Sequence, residues 1–326
     1  MTCSDWKECK TETVVRGREQ IELAYVVNED AMGNGFGGTL RFTKTGDLTK
    51  IVMFHKGGSG TEWVDDFMPD KVESAGGIAI QPKWIANGVG WFARPHSLSQ
   101  LEHSLAGVSL RPAAIMKWIY KNLTKNKFST AGCSGGAIAT YYPRHWHNLD
   151  ILLHYQLLGG GPVMAKIEAG CRGGLSFVGR CTSSPAVECD TNSDCGANGG
   201  LCSPYKWGAG ATMTAVRHTI DHLHNFETGP GNFCVKQEPQ ALFSVSDLDN
   251  SLRQIDLLNE HKIDFLMNVS DDPSADNGIN VVTQGAFVFS QLQGQKTWNV
   301  QPSGIHCDAF NSDPGWELLR VGAGLQ

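Results

Sequence analysis

The sequence predicts an α/β protein whose mostly parallel sheet is flanked by helices. Three observations lead there. Short apolar runs recur along the chain, stretches of helical spacing separate them, and glycine-rich turns end several of the runs. Parallel strands need long crossovers, and a helix with one apolar face covers the sheet while making the crossover, so strands alternating with helices specify this class.

The first 50 residues read differently from the rest. Two alternating, β-branched runs at 21–27 and 39–42 are separated by Gly33, Gly35, Gly37 and Gly38, the pattern of antiparallel edge strands. Continuous apolar runs follow at 51–55 and 77–82, as expected of strands buried on both faces. Leu110, Ala113, Ala114, Trp118 and Leu123 fall near helical spacing. A third buried run, 128–131, enters Gly132-Cys133-Ser134-Gly135-Gly136, and Ala137 and Ala139 suit a helix packed closely on the sheet. The next strand, 151–158, stops at three glycines. Helices over 248–260 and 281–292 then alternate with strands over 263–269 and 296–300.

Residues 163–238 break the alternation. They hold Cys171, Cys181, Cys189, Cys195, Cys202 and Cys234 among many Gly, Ser and Asn residues, with one helix expected near 212–224. The chain therefore divides into a core of residues 1–162 and 239–326 and a disulfide-rich lid or insert, 163–238. The ten cysteines include no Cys-x-x-Cys pair of the kind that holds zinc. Disulfides are the better reading, and they imply a secreted or periplasmic protein. The opening residues have neither a basic nor an apolar stretch, so no signal peptide is read there. Two glycosylation sequons, at Asn122 and Asn268, do not decide the host.

Charge excludes some partners. The chain has 27 basic and 33 acidic residues, a net charge of −6, and no run of like charges, so nucleic acid is not expected. No apolar stretch approaches the roughly 20 residues of a membrane-spanning helix.

Gly132-x-Ser134-x-Gly136 carries the chemistry. A strand before it and a small-residue helix after it are the context of the nucleophile elbow of the α/β-hydrolase fold, a strained turn that lifts a serine hydroxyl clear of the sheet. Serine needs a base, and the base needs an orienting carboxylate. In this fold they follow the serine in the order acid, then histidine. Strand 263–269 is followed by Ser270-Asp271-Asp272-Pro273, and strand 296–300 by Gln301-Pro302-Ser303-Gly304-Ile305-His306. Ser134, Asp272 and His306 are thus the expected triad, with Asp271 and Asp276 as competing acids. The N–H of Gly135 and one from the Gly57-Gly58-Ser59 loop, at Gly58 or Ser59, are expected to hold the oxyanion.

Cys133 precedes the nucleophile and Cys307 follows the base. If Ser134 and His306 lie within hydrogen-bond reach, their neighbours fall within the Cα separation of about 4.4–6.8 Å that a disulfide allows. This Cys-Ser…Asp…His-Cys arrangement resembles the tannase and fungal feruloyl esterase family, whose members bridge those cysteines and carry an inserted lid with a calcium site. The Gly132-Cys133-Ser134-Gly135-Gly136 elbow, the Asn268-to-Asp272 acid loop and His306-Cys307 also resemble pectin acetylesterases. The resemblance covers some 30 residues around the site and implies a secreted serine esterase acting on phenolic, acetylated-carbohydrate or similar esters, small or polymeric. A polyester depolymerase or peptidase with the same triad is the alternative, followed by an inactive binding protein of the same fold.

Other signals are weaker. His218 and His222 share a helical face, but Thr219 stands where a zinc protease needs Glu. Asp190, Asn192 and Asp194 alternate like a calcium loop, yet Gly196 is one position late and Leu201 replaces the final acid, so a disulfide-pinned turn is favoured. No cofactor is expected, with calcium in the insert as a minor alternative. Trp91, Phe92 and Trp63 are the expected substrate-binding aromatics.

Overall fold

A computed structural model of the chain describes residues 10–15, 17–28, 35–58, 60–85, 109–162, 177–182, 184–189, 191–198, 202–205, 262–268, 285, 286, 288–290, 292–301, 304 and 306–326. Strands β1 (Lys10–Val15), β2 (Arg18–Asn28) and β3 (Gly35–Thr43) come first. They are followed by β4 (Ile51–His55), α1 (Phe67–Ser74), β5 (Ile78–Trp84), α2 (Leu110–Ile119), β6 (Phe128–Cys133), α3 (Gly135–His147) and β7 (Leu153–Gly159). After three short strands, β8 (Phe177–Cys181), β9 (Ser184–Cys189) and β10 (Cys202–Tyr205), the chain forms β11 (Lys262–Asn268), β12 (Gln295–Gln301) and α4 (Asp313–Gly322).

One sheet runs β1-β2-β3-β5-β4-β6-β7-β11-β12. Its first three strands and the β3–β5 junction are antiparallel; the two expected edge runs lie in β2 and β3, but Gly35, Gly37 and Gly38, expected to separate them, are paired residues of β3. From β5 to β12 every pair is parallel. All of β4 and β6 is buried, which is why their sequences are continuous apolar runs rather than alternating ones. Ile51 and Met53 face a core completed by Ala113 and Met116 of α2 and Ile138 and Tyr142 of α3. Val52 and Phe54 face the opposite core, under Met68 and Val72 of α1 and Leu319 of α4. Each such buried side chain contributes about 1.5–3 kcal/mol, so the two covered faces fix the centre of the sheet.

Several elements depart from the sequence reading. The helix expected to continue to Leu123 is α-helical only to Ile119, then widens into a π turn over Tyr120–Thr124. Lys125, at φ 67°, closes that turn by donating its N–H to the Tyr120 carbonyl at 3.1 Å. Helix α1 was not legible because its buried face includes a carboxylate: Glu73 accepts hydrogen bonds from Gln20 and Thr43 at 2.9 Å and from Arg18 at 3.1 Å. This polar tie locks α1 to β2 and β3. Helix α4, which the sequence reading does not include, begins at Asp313-Pro314-Gly315; Ser312 caps it by accepting from the Gly315 N–H at 3.4 Å.

Strands β8–β10 form a separate antiparallel sheet within the cysteine-rich stretch, in the order β10-β8-β9. Disulfides Cys181–Cys195 and Cys189–Cys202 pin it around a 3₁₀ segment, Asn192–Asn198. Two bridges in so short a span stand in for the apolar core that it cannot build. The indole N–H of Trp298, on β12, donates to the Thr182 carbonyl at 2.9 Å and ties this small sheet to the large one. Residues 285, 286 and 288–290 are helical within the expected 281–292 helix. The helices expected at 212–224 and 248–260 lie outside the described residues. No described helix is long and apolar enough to cross a membrane.

Candidate active site

Strand β6 delivers Ser134 to a sharp turn before α3. The serine has φ 57° and ψ −122°, a conformation that side chains other than glycine adopt only under strain. Its N–H is anchored on the Gly159 carbonyl at 2.9 Å, so the end of β7 braces the turn. The neighbouring glycines are required by close approach. A methyl group on Gly132 would collide with the Gly136 carbonyl, one on Gly136 with the carbonyl of His55, and one on Gly135 with the carbonyl of Gly58. The spacing of the motif is thus the imprint of three backbone contacts.

Those contacts also bring in the loop after β4. A methyl group on Gly57 would lie 3.3 Å from the Cys133 carbonyl and 3.8 Å from Cβ of Ser134, and exposed Gly58 turns at φ 61° over Gly135. Gly58 and Gly135 therefore flank the serine, with Gly135 opening the first turn of α3, where amide N–H groups lack intrahelical partners. Ser59 lies outside the described residues. His55, at the end of β4, is buried, and desolvation pushes its imidazole down to about 3, so it is neutral.

Past β12, His306 and Cys307 return to the same place. Cys307 is bridged to Cys133, with the Cα atoms 5.8 Å apart. Ser134 and His306, each next to a bridged cysteine, are both half-buried. The sulfurs of the bridge and a ring nitrogen of His306 lie within 4.8 Å of one another. Gly160 lies against this cluster: a methyl group there would come 2.9 Å from Cε1 and 3.2 Å from Nδ1 of His306, and 3.1 Å from Sγ of Cys133. In the sequence the three glycines at 159–161 read only as a strand terminus. Gly160 has a positive φ of 47°, and its contact with His306 is made by the fold, so no local sequence signal reveals it.

Strand β11, which precedes the expected acid loop, runs parallel to β12, which precedes His306, and Asn268 of β11 pairs with Gln301 of β12. A methyl group on Gly304 would lie 3.4 Å from the buried Asn268 Oδ1, so Gly304 lies beside the end of β11. Asp271, Asp272 and Asp276 lie outside the described residues, as do Trp91, Phe92 and Asp190. Trp63 is half-buried beneath the Arg41 guanidinium, 3.9 Å from its ring centre. In the insert, Asn192 accepts from the Cys202 N–H at 2.8 Å and Asp194 from the Thr191 N–H at 2.8 Å, so both side chains shape their own turn.

Solved structures share this architecture. An acetyl xylan esterase from Thermoanaerobacterium sp. aligns over 97% of this chain and 87% of its own, with 12% identity and a TM-score of 0.51. A carboxyl esterase from the mycorrhizal fungus Tuber melanosporum covers 97% and 86%, with 10% identity and a TM-score of 0.50. A bacterial heroin esterase covers 94% and 85%, with 12% identity and a TM-score of 0.51. No family model and no curated protein matches the sequence. The chain has the α/β-hydrolase fold.

Proposed function

We propose that this chain is a serine carboxylic ester hydrolase. Ser134 attacks the ester carbonyl while neutral His306 takes its proton; Asp272, the preferred acid, orients the imidazole. The N–H groups of Gly135 and of Gly58 or Ser59 hold the oxyanion, where donors fixed in advance stabilise the developing charge. Protonated His306 then returns its proton to the leaving alcohol, and water releases the acyl group by the same steps in reverse. The reaction so written uses no cofactor.

The observation that carries this reading is the Cys133–Cys307 bridge. It joins a strained serine on the elbow to a histidine that follows the last strand of the sheet, the two positions at which this fold keeps its nucleophile and base. Acetylated carbohydrate and phenolic esters are the proposed substrate class, supported by the local Cys-Ser…His-Cys resemblance. The bridges of the insert support a secreted or periplasmic location.

Hydrolysis of short p-nitrophenyl esters by the wild type and by Ser134→Ala tests the assignment. Turnover should fall at least about a thousandfold in the variant. Equal turnover in the two proteins would end it.

A further inference from the structure

We propose that two-electron reduction of the Cys133–Cys307 bridge creates, from both thiols and the imidazole of His306, a site for one soft divalent cation such as zinc or cadmium. The disulfide holds that site closed. In the bridged protein the two sulfurs and a ring nitrogen of His306 already converge within 4.8 Å. A tetrahedral ion with bonds of about 2.3 Å to sulfur and about 2.0–2.1 Å to nitrogen needs its ligand atoms only about 3.5–3.8 Å apart. Breaking the S–S bond lets the sulfurs separate to that distance by side-chain rotation.

The surroundings favour the same ion. Cys133 is buried and Cys307 packs against the apolar core beneath α4, so ordering the site requires little further loss of freedom. Gly160 packs against both Cys133 Sγ and the imidazole ring and so keeps these two ligands beside each other. Two thiolates and an imidazole are a soft donor set that selects zinc or cadmium over magnesium or calcium. The second group of converging cysteines, Cys181, Cys189 and Cys195, is all sulfur and belongs to the insert.

The chemistry balances with a water-soluble phosphine as reductant. The phosphine gives up two electrons and leaves as its oxide, taking oxygen from water. The S–S bond breaks and two S–H bonds form. The cation then displaces both thiol protons and accepts a lone pair from the imidazole. An imidazole bound in this way cannot both accept the serine proton and donate to a carboxylate. That catalytic consequence rests on His306 being the base, whereas the binding does not.

Cadmium titration of the phosphine-reduced protein, followed by thiolate-to-metal absorbance, tests the site. Reduced wild type should bind one equivalent more than reduced Cys133→Ala/Cys307→Ala, which keeps the cysteines of the insert. His306→Asn should weaken that equivalent by about tenfold or more, the minimum for losing a direct ligand. The oxidised protein should not show it. Equal stoichiometry in the two reduced proteins, or unchanged affinity in His306→Asn, would overturn the proposal. Esterase activity enters none of these readings, so the site can fail while the serine mechanism stands.

Discussion

Gly160 packs against the ring of His306 so closely that a β-carbon would lie 2.9 Å from Cε1 and 3.2 Å from Nδ1. Its φ of 47° is a backbone state that side chains other than glycine rarely adopt. Gly160→Ala should therefore push the imidazole away from Ser134. Misplacement by an ångström costs about a hundredfold in rate, so kcat should fall steeply with KM little changed. Gly322→Ala, which strikes Tyr155 instead, is the comparison that separates a displaced base from general damage. Equal losses of kcat in both variants would argue against the specific contact.

Removing the central bridge should affect both stability and rate. Cys133 and Cys307 are 174 positions apart, and closing a loop of that length is worth about 5 kcal/mol in chain entropy. Cys133→Ala/Cys307→Ala should lower the urea midpoint and reduce kcat more than KM. Peptide mapping without reduction should show the two fragments joined in the wild type.

The pH profile of kcat/KM should have an acid limb within about pH 5–8, the range in which histidine changes charge, because His306 must be neutral to accept the proton. His55 stays uncharged through that range and does not contribute to the limb. A flat profile between about pH 5 and 8 would call for another base.

His55 should nevertheless influence acid stability. Its pKa is about 3 in the folded chain and about 6.5 when unfolded, so between those values only the unfolded state binds the proton. Stability is unaffected above about pH 6.5, falls as the pH drops through the window, and levels off below about 3. The slope is about 1.4 kcal/mol per pH unit within the window. Urea unfolding of His55→Asn at several pH values should show a slope shallower by about that amount.

Glu73→Ala should destabilise the protein by about 3 kcal/mol, because it strips a buried acceptor from Gln20, Thr43 and Arg18. KM should not change. A loss below about 1 kcal/mol in urea unfolding would show that the three donors find other partners.

The elbow was legible in the sequence because its glycines answer steric demands within a few residues of one another. Hydropathy patterning likewise exposed the buried strands of the parallel sheet. It could not reveal α1, where Glu73 holds a core position through partners more than 29 residues away. Nor could it reveal α4, where Pro314 and Gly315 start a helix instead of ending one. The role of Gly160 depends on His306, a contact made by the fold rather than by neighbours in the chain.

The long separation of Cys133 and Cys307 also bears on survival after proteolysis. A protease that cuts any one peptide bond between them opens a ring without releasing a fragment. The nicked molecule keeps the serine and histidine segments on one covalent skeleton, and cleavage within the cysteine-rich stretch is the mildest case because its own bridges add further ties. Such a molecule migrates as an intact chain until a reductant is added.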